Sequence, residues 1–240
     1  MNFIFKGECV DYTFANNKKP AVLFLHGWGG NKFSFKETIK LLKSNYSILT
    51  ITMPTTSPTT LSWTLADFRD LVCSILKLNQ IEKVSIVCHS FGFRVACLLK
   101  YFVNINKLIV TAGAGPKKNG IFKKLKNQNN LILLKQTRFN FLYSKTASKD
   151  YISLNKTNQR TFVNIVNTNT INLLKFDCPV LLFWGNKDTD TKLWIAKKVY
   201  KNNNSKMVIT NGNHFAYLTK SALFNNSSIK FMGEQNDMFI

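Results

Sequence analysis

The most informative segment of the sequence is residues 84–92, VSIVCHSFG. It begins as a short run of β-branched and apolar residues, the pattern of a buried strand, and ends where a segment of helical spacing starts at Phe91. Ser90 therefore lies on a tight turn from a strand into a helix. Such a turn strains the serine backbone and lifts its hydroxyl clear of the sheet, a geometry called a nucleophile elbow. Strand and helix approach closely there, so small residues are needed two before and two after it, at Cys88 and Gly92.

Outward from this turn, the chain alternates between short apolar runs and segments of helical spacing. Strands alternating with helices of this length predict right-handed crossovers and an α/β fold whose mostly parallel central sheet has helices on both faces. Residues 2–5 and 8–14 fit an antiparallel pair at the edge. The other predicted strands are residues 21–25, 46–52, 84–88, 107–111, 179–184 and 206–210, and the predicted helices are residues 33–43, 65–78, 91–102, 192–200 and 219–231.

Residues 114–175 interrupt this alternation. They contain no convincing strand and read as two or three basic, amphipathic helices. We therefore expect a core of residues 1–113 and 176–240 with a small helical cap, residues 114–175, inserted into it. The apolar residues of the cap either cover part of a ligand or pack the cap onto the core.

Candidate reactive groups follow several of the predicted strands. In an open α/β sheet, ligands and reacting groups gather outside the carboxyl ends of the strands. His26, Asp188 and His214 each come just after a strand, and His89 precedes Ser90. Serine, then acid, then histidine, each after a strand, is the chain order of one hydrolase fold.

Two aspartates are candidates for the acid in this order. Asp190 lies two residues after Asp188 and remains open, although the loop position favours Asp188. Asp177 lies at the amino end of its strand, so it cannot reach a site at the carboxyl ends of the strands. No carboxylate follows the strand at residues 107–111. We expect His89 to pack beside the elbow rather than to act in catalysis.

Four short stretches together carry a family resemblance: residues 22–30, VLFLHGWGG; 87–92, VCHSFG; 179–188, PVLLFWGNKD; and 212–215, GNHF. With them the chain resembles the α/β-hydrolase superfamily, within it the branch of small single-cap serine esterases and carbon–carbon bond hydrolases. The resemblance spans residues 21–231. It implies Ser90 as nucleophile, Asp188 as acid, His214 as general base and residues 114–175 as the cap.

The mechanism implied by this resemblance is acyl transfer. A serine hydroxyl is a weak nucleophile at neutral pH, so His214 would accept its proton and later return it to the leaving group. Asp188 would fix the His214 tautomer and stabilise the imidazolium. The backbone N–H groups of Trp28 and Phe91 would form the oxyanion hole. The supporting loop comprises His26, which we expect to order the loop through hydrogen bonds, and Gly27, Gly29 and Gly30, which bring its backbone close to the substrate.

The expected function is a serine hydrolase, a carboxylesterase that cleaves a small or medium apolar ester through an acyl-enzyme on Ser90. A carbon–carbon bond hydrolase with the same triad and a non-catalytic ligand-binding protein on this fold are the alternatives. Relatives that use an aspartate nucleophile, the haloalkane dehalogenases and epoxide hydrolases, are excluded by the serine. No metal or organic cofactor is implied, since no cluster has metal-ligand spacing.

The chain departs from the family pattern in two places near the elbow and the site. Cys88 and Phe93 stand where glycines are common, so we expect altered packing of the helix and a narrower site. Residues 53–57, MPTTS, replace the family's usual loop, so this loop does not indicate the substrate.

The net charge of +21 at first suggests nucleic acid or an anionic membrane as a partner. Almost all the basic residues are Lys, and Asn is abundant, as an AT-rich coding sequence would produce. Arg, which proteins that read nucleic acids usually favour, is scarce, so we expect no specific nucleic acid partner. Because residues 114–175 carry +11 of the total, weak association of the cap with an anionic surface remains open. The expected partner is a small ester, and no oligomeric state is indicated.

The remaining sequence features concern the cellular compartment. No stretch approaches the roughly 18 consecutive apolar residues of a transmembrane helix, and charged residues interrupt the N-terminal stretch, residues 1–14. The five cysteines form no C-x-x-C pair, which argues against a disulfide framework or a structural zinc. We expect a soluble, cytoplasmic protein with reduced thiols.

Overall fold

The computed structural model describes residues 1–115 and 154–234, and eight of its strands form one sheet. The order across the sheet is β1-β2-β4-β3-β5-β6-β7-β8. β1 and β2 pair antiparallel, as do β2 and β4, and every other pair is parallel. The predicted sheet with its antiparallel edge is confirmed. The strands are β1 (Asn2–Phe5), β2 (Glu8–Ala15), β3 (Ala21–Leu25), β4 (Ser47–Ile51), β5 (Lys83–His89), β6 (Asn104–Thr111), β7 (Val180–Gly185) and β8 (Ser205–Thr210).

Helices cover both faces of the sheet because successive strand residues point to opposite sides. In β3, Leu23 and Leu25 pack with α2, α3 and α5, whereas Val22 and Phe24 pack with α1, α6 and α7. The helices are α1 (Lys36–Leu42), α2 (Leu65–Leu78), α3 (Phe91–Leu99), α4 (Lys156–Asn167), α5 (Trp194–Asn202), α6 (Ala216–Thr219) and α7 (Ser221–Gly233). Within the described ranges, no helix has both the length and the apolar character needed to cross a bilayer.

Of the five predicted helices, the one over residues 65–78 matches the structure at both ends, and the other four have different bounds. The helix predicted over residues 91–102 ends at Leu99, and the one predicted over residues 192–200 spans Trp194–Asn202. The helix predicted over residues 33–43 begins at Lys36, because the preceding residues form turns closed by N–H groups of Ser34 and Lys36. The helix predicted over residues 219–231 is two helices, α6 and α7, which are separated by the non-helical backbone of Lys220. None of these differences moves a predicted site residue away from a strand end.

Most of the predicted cap, residues 116–153, lies outside the described residues, as do residues 235–240. The described end of the insertion contains α4 and a short 3₁₀ turn, Ile171–Leu173. Two hydrogen bonds join α4 to the loop before α2: Asn158 Nδ2 donates to Ser57 O at 2.8 Å, and Trp63 N donates to Thr161 Oγ1 at 2.9 Å. The helix therefore packs on the carboxyl edge of the sheet, where the predicted site lies.

A buried arginine joins α3 to both ends of the insertion. Arg94 is 5% exposed, and its guanidinium donates to Gly115 O at 2.7 Å, Ile165 O at 3.0 Å and Thr168 O at 2.9 Å. Gly115 precedes the insertion's undescribed part, whereas the other two carbonyls lie at the carboxyl end of α4. The cation therefore caps α4 and fixes it against the helix that begins directly after Ser90.

Candidate active site

Ser90 has the backbone geometry expected of an elbow. It lies between β5 and α3 with φ 47° and ψ −111°, in a region that residues with a side chain rarely adopt. A Cβ at Gly92 would lie 2.3 Å from the backbone oxygen of Leu25, so α3 can approach β3 this closely only with glycine there. The strain at Ser90 is therefore held in place by close packing of the strand and the helix.

The two unusual residues around the elbow face the core. The Cys88 side chain is fully buried, and its Sγ lies 3.4 Å from the backbone oxygen of Ile109. The Phe93 ring is fully buried and occupies the space beside Gly113, where an added Cβ would come within 2.6 Å of the ring. Both side chains thus pack α3 and β5 against β6.

Asp188 and His214, predicted from separate strand ends, are hydrogen-bonded to each other. His214 Nδ1 lies 3.0 Å from Asp188 Oδ2, and the aspartate side chain is completely buried. Thr191 Oγ1 lies 2.7 Å from the same oxygen, while Asp188 Oδ1 accepts from the backbone N–H groups of Asp190 and Thr191. Burial alone would raise the pKa of Asp188, but the hydrogen bonds from His214 and Thr191 outweigh burial and hold the pKa below its ordinary value.

The alternative acid, Asp190, is exposed and supplies its backbone N–H to Asp188. Among the described residues, Asp188, Asp190 and His214 form the one group whose potential ligand atoms lie close enough to suggest a cation, within 4.8 Å of one another. However, Asp188 Oδ2 and His214 Nδ1 are already bonded to each other. A cation would have to break that hydrogen bond. The arrangement of Asp188 and His214 is therefore that of an acid–histidine pair rather than of a metal site.

His89 packs between the elbow and His214. It is 3% exposed, its ring centroid lies 4.8 Å from that of His214, and its Nε2 lies 3.2 Å from the backbone oxygen of His214. Burial first, and then the nearby His214, lower the pKa of His89 to about 3. His89 is therefore neutral at physiological pH and donates from Nε2 to that carbonyl.

The serine hydroxyl is not engaged in this network. Within the described part of the chain, Ser90 Oγ makes no hydrogen bond, either to His214 or to any other residue. Ser90 is connected to His214 through its neighbour His89. In enzymes without bound substrate, the hydrogen bond from nucleophile to base is often long or absent.

The glycine-rich loop after β3 lies against the elbow. A Cβ at Gly27 would lie 2.5 Å from His89 Nδ1 and 3.4 Å from Ser90 Cβ, so this glycine allows the loop to touch the elbow. Gly29 N donates to Thr55 Oγ1 at 3.2 Å, and Gly30 N donates to Gly27 O at 3.0 Å. These bonds form a tight turn beside Ser90.

The buried His26 ring connects the same loop to the backbone of Met53. Its Nδ1 lies 2.7 Å from Gly27 O, and the backbone N–H of Met53 donates to its Nε2 at 2.8 Å. Both bonds form only in the neutral tautomer with the proton on Nδ1. Burial lowers the pKa of His26 to about 4, against a smaller opposing effect of the Gly27 carbonyl.

The two backbone donors predicted to bind an oxyanion are both unused. Neither Trp28 N–H nor Phe91 N–H donates to another residue in the described ranges. The Trp28 side chain makes edge-to-face contacts with Phe91 at 5.8 Å and with Phe162 of α4 at 5.1 Å between ring centroids. An aromatic wall, Trp28, Phe91 and Phe162, therefore stands next to Ser90.

Thr191, which contacts both Asp188 and His214, was not predicted from the sequence. Its signal in the sequence was weak, because it lies in a polar loop, GNKDTDTK, without periodicity. The one usable sign was an aspartate followed by a hydroxyl residue three positions later, a spacing at which local side-chain-to-backbone hydrogen bonds form.

Sequence comparison identifies the family of this chain. The sequence profile described as "Alpha/beta hydrolase family" matches residues 22–225. The chain therefore belongs to the alpha/beta hydrolase family, and the predicted fold is confirmed. No curated protein sequence matches the chain.

Solved structures of similar fold include several hydrolases and esterases. A hydrolase from Pseudomonas aeruginosa PA01 aligns over 98% of both chains, with 15% identity and a TM-score of 0.77. An esterase from Exiguobacterium antarcticum aligns over 94% of this chain and 95% of its own, with 15% identity and a TM-score of 0.71. A meta-cleavage product hydrolase from Pseudomonas fluorescens IP01 aligns over 98% of both chains, with 16% identity and a TM-score of 0.71. At these identities the likeness shows the fold.

Proposed function

We propose that this protein is a serine hydrolase, a carboxylesterase that cleaves a small or medium apolar ester through an acyl-enzyme on Ser90. The observation that carries the proposal is the 3.0 Å hydrogen bond between His214 and the buried Asp188, next to the elbow where Ser90 has φ 47°. A charged acid at Nδ1 leaves Nε2 of the imidazole as the proton acceptor. Membership in the hydrolase family and the esterase among its structural neighbours support the same reaction class.

The proposed reaction has two halves. His214 Nε2 takes the Ser90 proton while Oγ attacks the ester carbonyl, and it then protonates the leaving alcohol as the tetrahedral intermediate collapses to an acyl-enzyme. Water, activated by the same nitrogen, then releases the acid and restores Ser90. Trp28 N–H and Phe91 N–H, which have no partner among the described residues, would donate to the oxyanion in both halves.

The aromatic wall beside Ser90 supports an apolar substrate. Trp28 and Phe91 come from the core, and Phe162 comes from α4, so a group lying against this wall would contact both parts of the fold. The assignment of residues 114–175 as a cap that covers the site is part of this proposal.

A carbon–carbon bond hydrolase with the same triad is the second candidate. It is favoured by the structural likeness to the meta-cleavage product hydrolase. A dicarbonyl substrate separates the two candidates, because cleavage of simple esters without cleavage of the dicarbonyl compound supports the esterase.

Hydrolysis of p-nitrophenyl acetate, butyrate and octanoate by the purified protein tests the proposal. Ser90→Ala is expected to abolish turnover while circular dichroism and thermal unfolding stay unchanged. The matched control is Ser62→Ala, which removes an exposed hydroxyl and is expected to retain full activity. Ester hydrolysis that survives Ser90→Ala would refute the proposal, and a folded wild type inactive on all esters would favour a ligand-binding role.

A further inference from the structure

A fourth side chain takes part in the Asp188–His214 pair. Thr191 is 5% exposed, and its hydroxyl oxygen lies 2.7 Å from Asp188 Oδ2, 2.9 Å from Ala112 O and 3.3 Å from His214 Nδ1. These three groups follow β7, β6 and β8. One hydroxyl therefore connects the ends of three adjacent strands at the proposed site.

Thr191 is held rigidly by its own backbone. Its N–H donates to Asp188 Oδ1 at 2.8 Å, and its carbonyl accepts from the indole Nε1 of Trp184 at 2.7 Å. Trp184 is fully buried in β7. The hydroxyl position is thus fixed by the core.

The hydroxyl carries one proton and has two acceptors, Asp188 Oδ2 and Ala112 O. The ionised carboxylate is the stronger acceptor and lies nearer, so the proton points to Asp188 while that group is charged. The Oγ1 lone pairs then face the His214 Nδ1 proton, which lies between Asp188 Oδ2 and Thr191 Oγ1. The hydroxyl both binds the acid and limits rotation of the imidazole.

We infer that Thr191 is a positioning residue of the proposed triad: its hydroxyl holds Asp188 in the orientation that binds His214. This inference rests on the proposed function, since it assigns Thr191 a role only if Asp188 and His214 act on Ser90. The hydroxyl acts through these two side chains and does not contact the reacting atoms.

Removal of this hydroxyl should change the pH dependence of kcat/KM in one direction. Hydrogen bonds from His214 and Thr191 hold the Asp188 pKa down, so losing the one from Thr191 makes the carboxylate more basic. Among the described residues, the titratable groups that face the pair are Asp190 in the same loop and His89 at the end of β5, and the substitution changes neither. The acid limb of the kcat/KM profile reports protonation of the hydrogen-bonded Asp188–His214 pair as a whole, so this limb should move to higher pH.

The experiment compares three variants of the full chain on p-nitrophenyl butyrate. Thr191→Val keeps the side-chain shape without the hydroxyl, Thr191→Ser restores it, and Thr189→Val removes an exposed hydroxyl from the same loop as the matched control. For Thr191→Val we expect kcat to fall about 10- to 100-fold, the loss of one hydrogen bond to a charged group, with KM within about threefold. The midpoint of its acid limb should rise by about one pH unit. Thr191→Ser and Thr189→Val should match the wild type within about threefold, without a shift.

The outcomes separate this inference from the proposed function. Activity that depends on Ser90 but keeps its kcat and acid-limb midpoint in Thr191→Val overturns the inference alone, even if the melting temperature falls. Activity that survives Ser90→Ala overturns the proposed function. Titration of the Asp188 carboxyl carbon by ¹³C NMR needs no substrate: a rise in its midpoint in Thr191→Val supports the inference, and an unchanged midpoint contradicts it.

Discussion

The imidazole rings of His89 and His214 lie 4.8 Å apart, and His89 holds the backbone oxygen of His214 through its Nε2. Two adjacent histidines would repel each other if both were charged. Burial prevents this because it lowers the pKa of His89 to about 3. The positive charge that forms during the proposed reaction is therefore confined to His214, the histidine paired with Asp188.

Substitution of Asp188 and of Asp190, which lie in the same loop after β7, should affect activity very differently. Asp188→Asn removes the charge that stabilises the imidazolium and is expected to lower kcat about 10³- to 10⁴-fold, with the fold retained. Asp190→Asn removes an exposed carboxylate and keeps the backbone N–H that binds Asp188, so activity should stay within about threefold. Steady-state kinetics on one ester decide between them. The reverse order of effects would identify Asp190 as the acid.

The protein should lose stability on acidification at pH values where its carboxylates are still ionised. Burial lowers the pKa of His26 to about 4 and that of His89 to about 3, from an ordinary value of 6.5. Both groups bind protons more readily in the unfolded chain, so the stability they contribute is complete above pH 6.5 and is lost as the pH falls toward 4 and 3. The free energy of unfolding should be ~4 kcal/mol lower at pH 5 than at pH 8.

Urea unfolding at these two pH values measures that difference. His26→Asn and His89→Asn each remove one titrating group, so the difference between pH 8 and pH 5 should be about halved in each, whatever its absolute stability. Asp188 contributes little to this difference, because the stability gained from its lowered pKa is lost only as the pH falls below the ordinary carboxyl pKa of 3.8. Equal wild-type stability at pH 8 and pH 5 would show that the two histidines are not held neutral.

Because α3 approaches β3 so closely, any side chain larger than that of Gly92 should strongly destabilise the fold. A Cβ there would lie 2.3 Å from the Leu25 oxygen, which cannot move without breaking the sheet, so Gly92→Ala should lower the free energy of unfolding by ~3 kcal/mol. Gly233→Ala at the end of α7 has open space around the new methyl and should change stability by about 1 kcal/mol or less. Urea midpoints compare the two, and similar midpoints would contradict the packing described for the elbow.

Most of the fold followed from the sequence because its strands are short apolar runs with two buried faces. The predicted strands at residues 21–25 and 206–210 match β3 and β8 within one residue. Helix ends were harder to predict, since they depend on caps and turns rather than on periodicity. The break at Lys220, for example, has no proline or glycine to mark it.

The candidate site was predictable where strand ends bring residues to one edge of the sheet. Asp188 and His214 meet because β7 and β8 are parallel neighbours. The contacts that join Thr191 to Ala112 and Arg94 to Thr168 were not predictable, because these partners come from distant parts of the chain. Ala112 lies 79 residues from Thr191, and Thr168 lies 74 residues from Arg94.

Arg94 should stabilise the junction between the core and α4. Arg94→Met leaves the carbonyls of Gly115, Ile165 and Thr168 without their charged donor, which should lower the free energy of unfolding by about 3 kcal/mol or more. Arg160→Met removes an exposed cation of α4 and should change it by about 0.5 kcal/mol or less. Chemical unfolding of both variants gives the comparison, and a neutral Arg94→Met would contradict this role.

Covalent labelling of the purified protein with a fluorophosphonate, followed by peptide mapping by mass spectrometry, tests directly whether Ser90 is an activated nucleophile. We expect one adduct on Ser90, lost in Ser90→Ala and strongly reduced in His214→Ala, because only a serine deprotonated by its base attacks phosphorus rapidly. Ser62→Ala should label like the wild type. An unlabelled Ser90 in a folded protein, or labelling unaffected by His214→Ala, would contradict the proposal that Asp188 and His214 activate this serine.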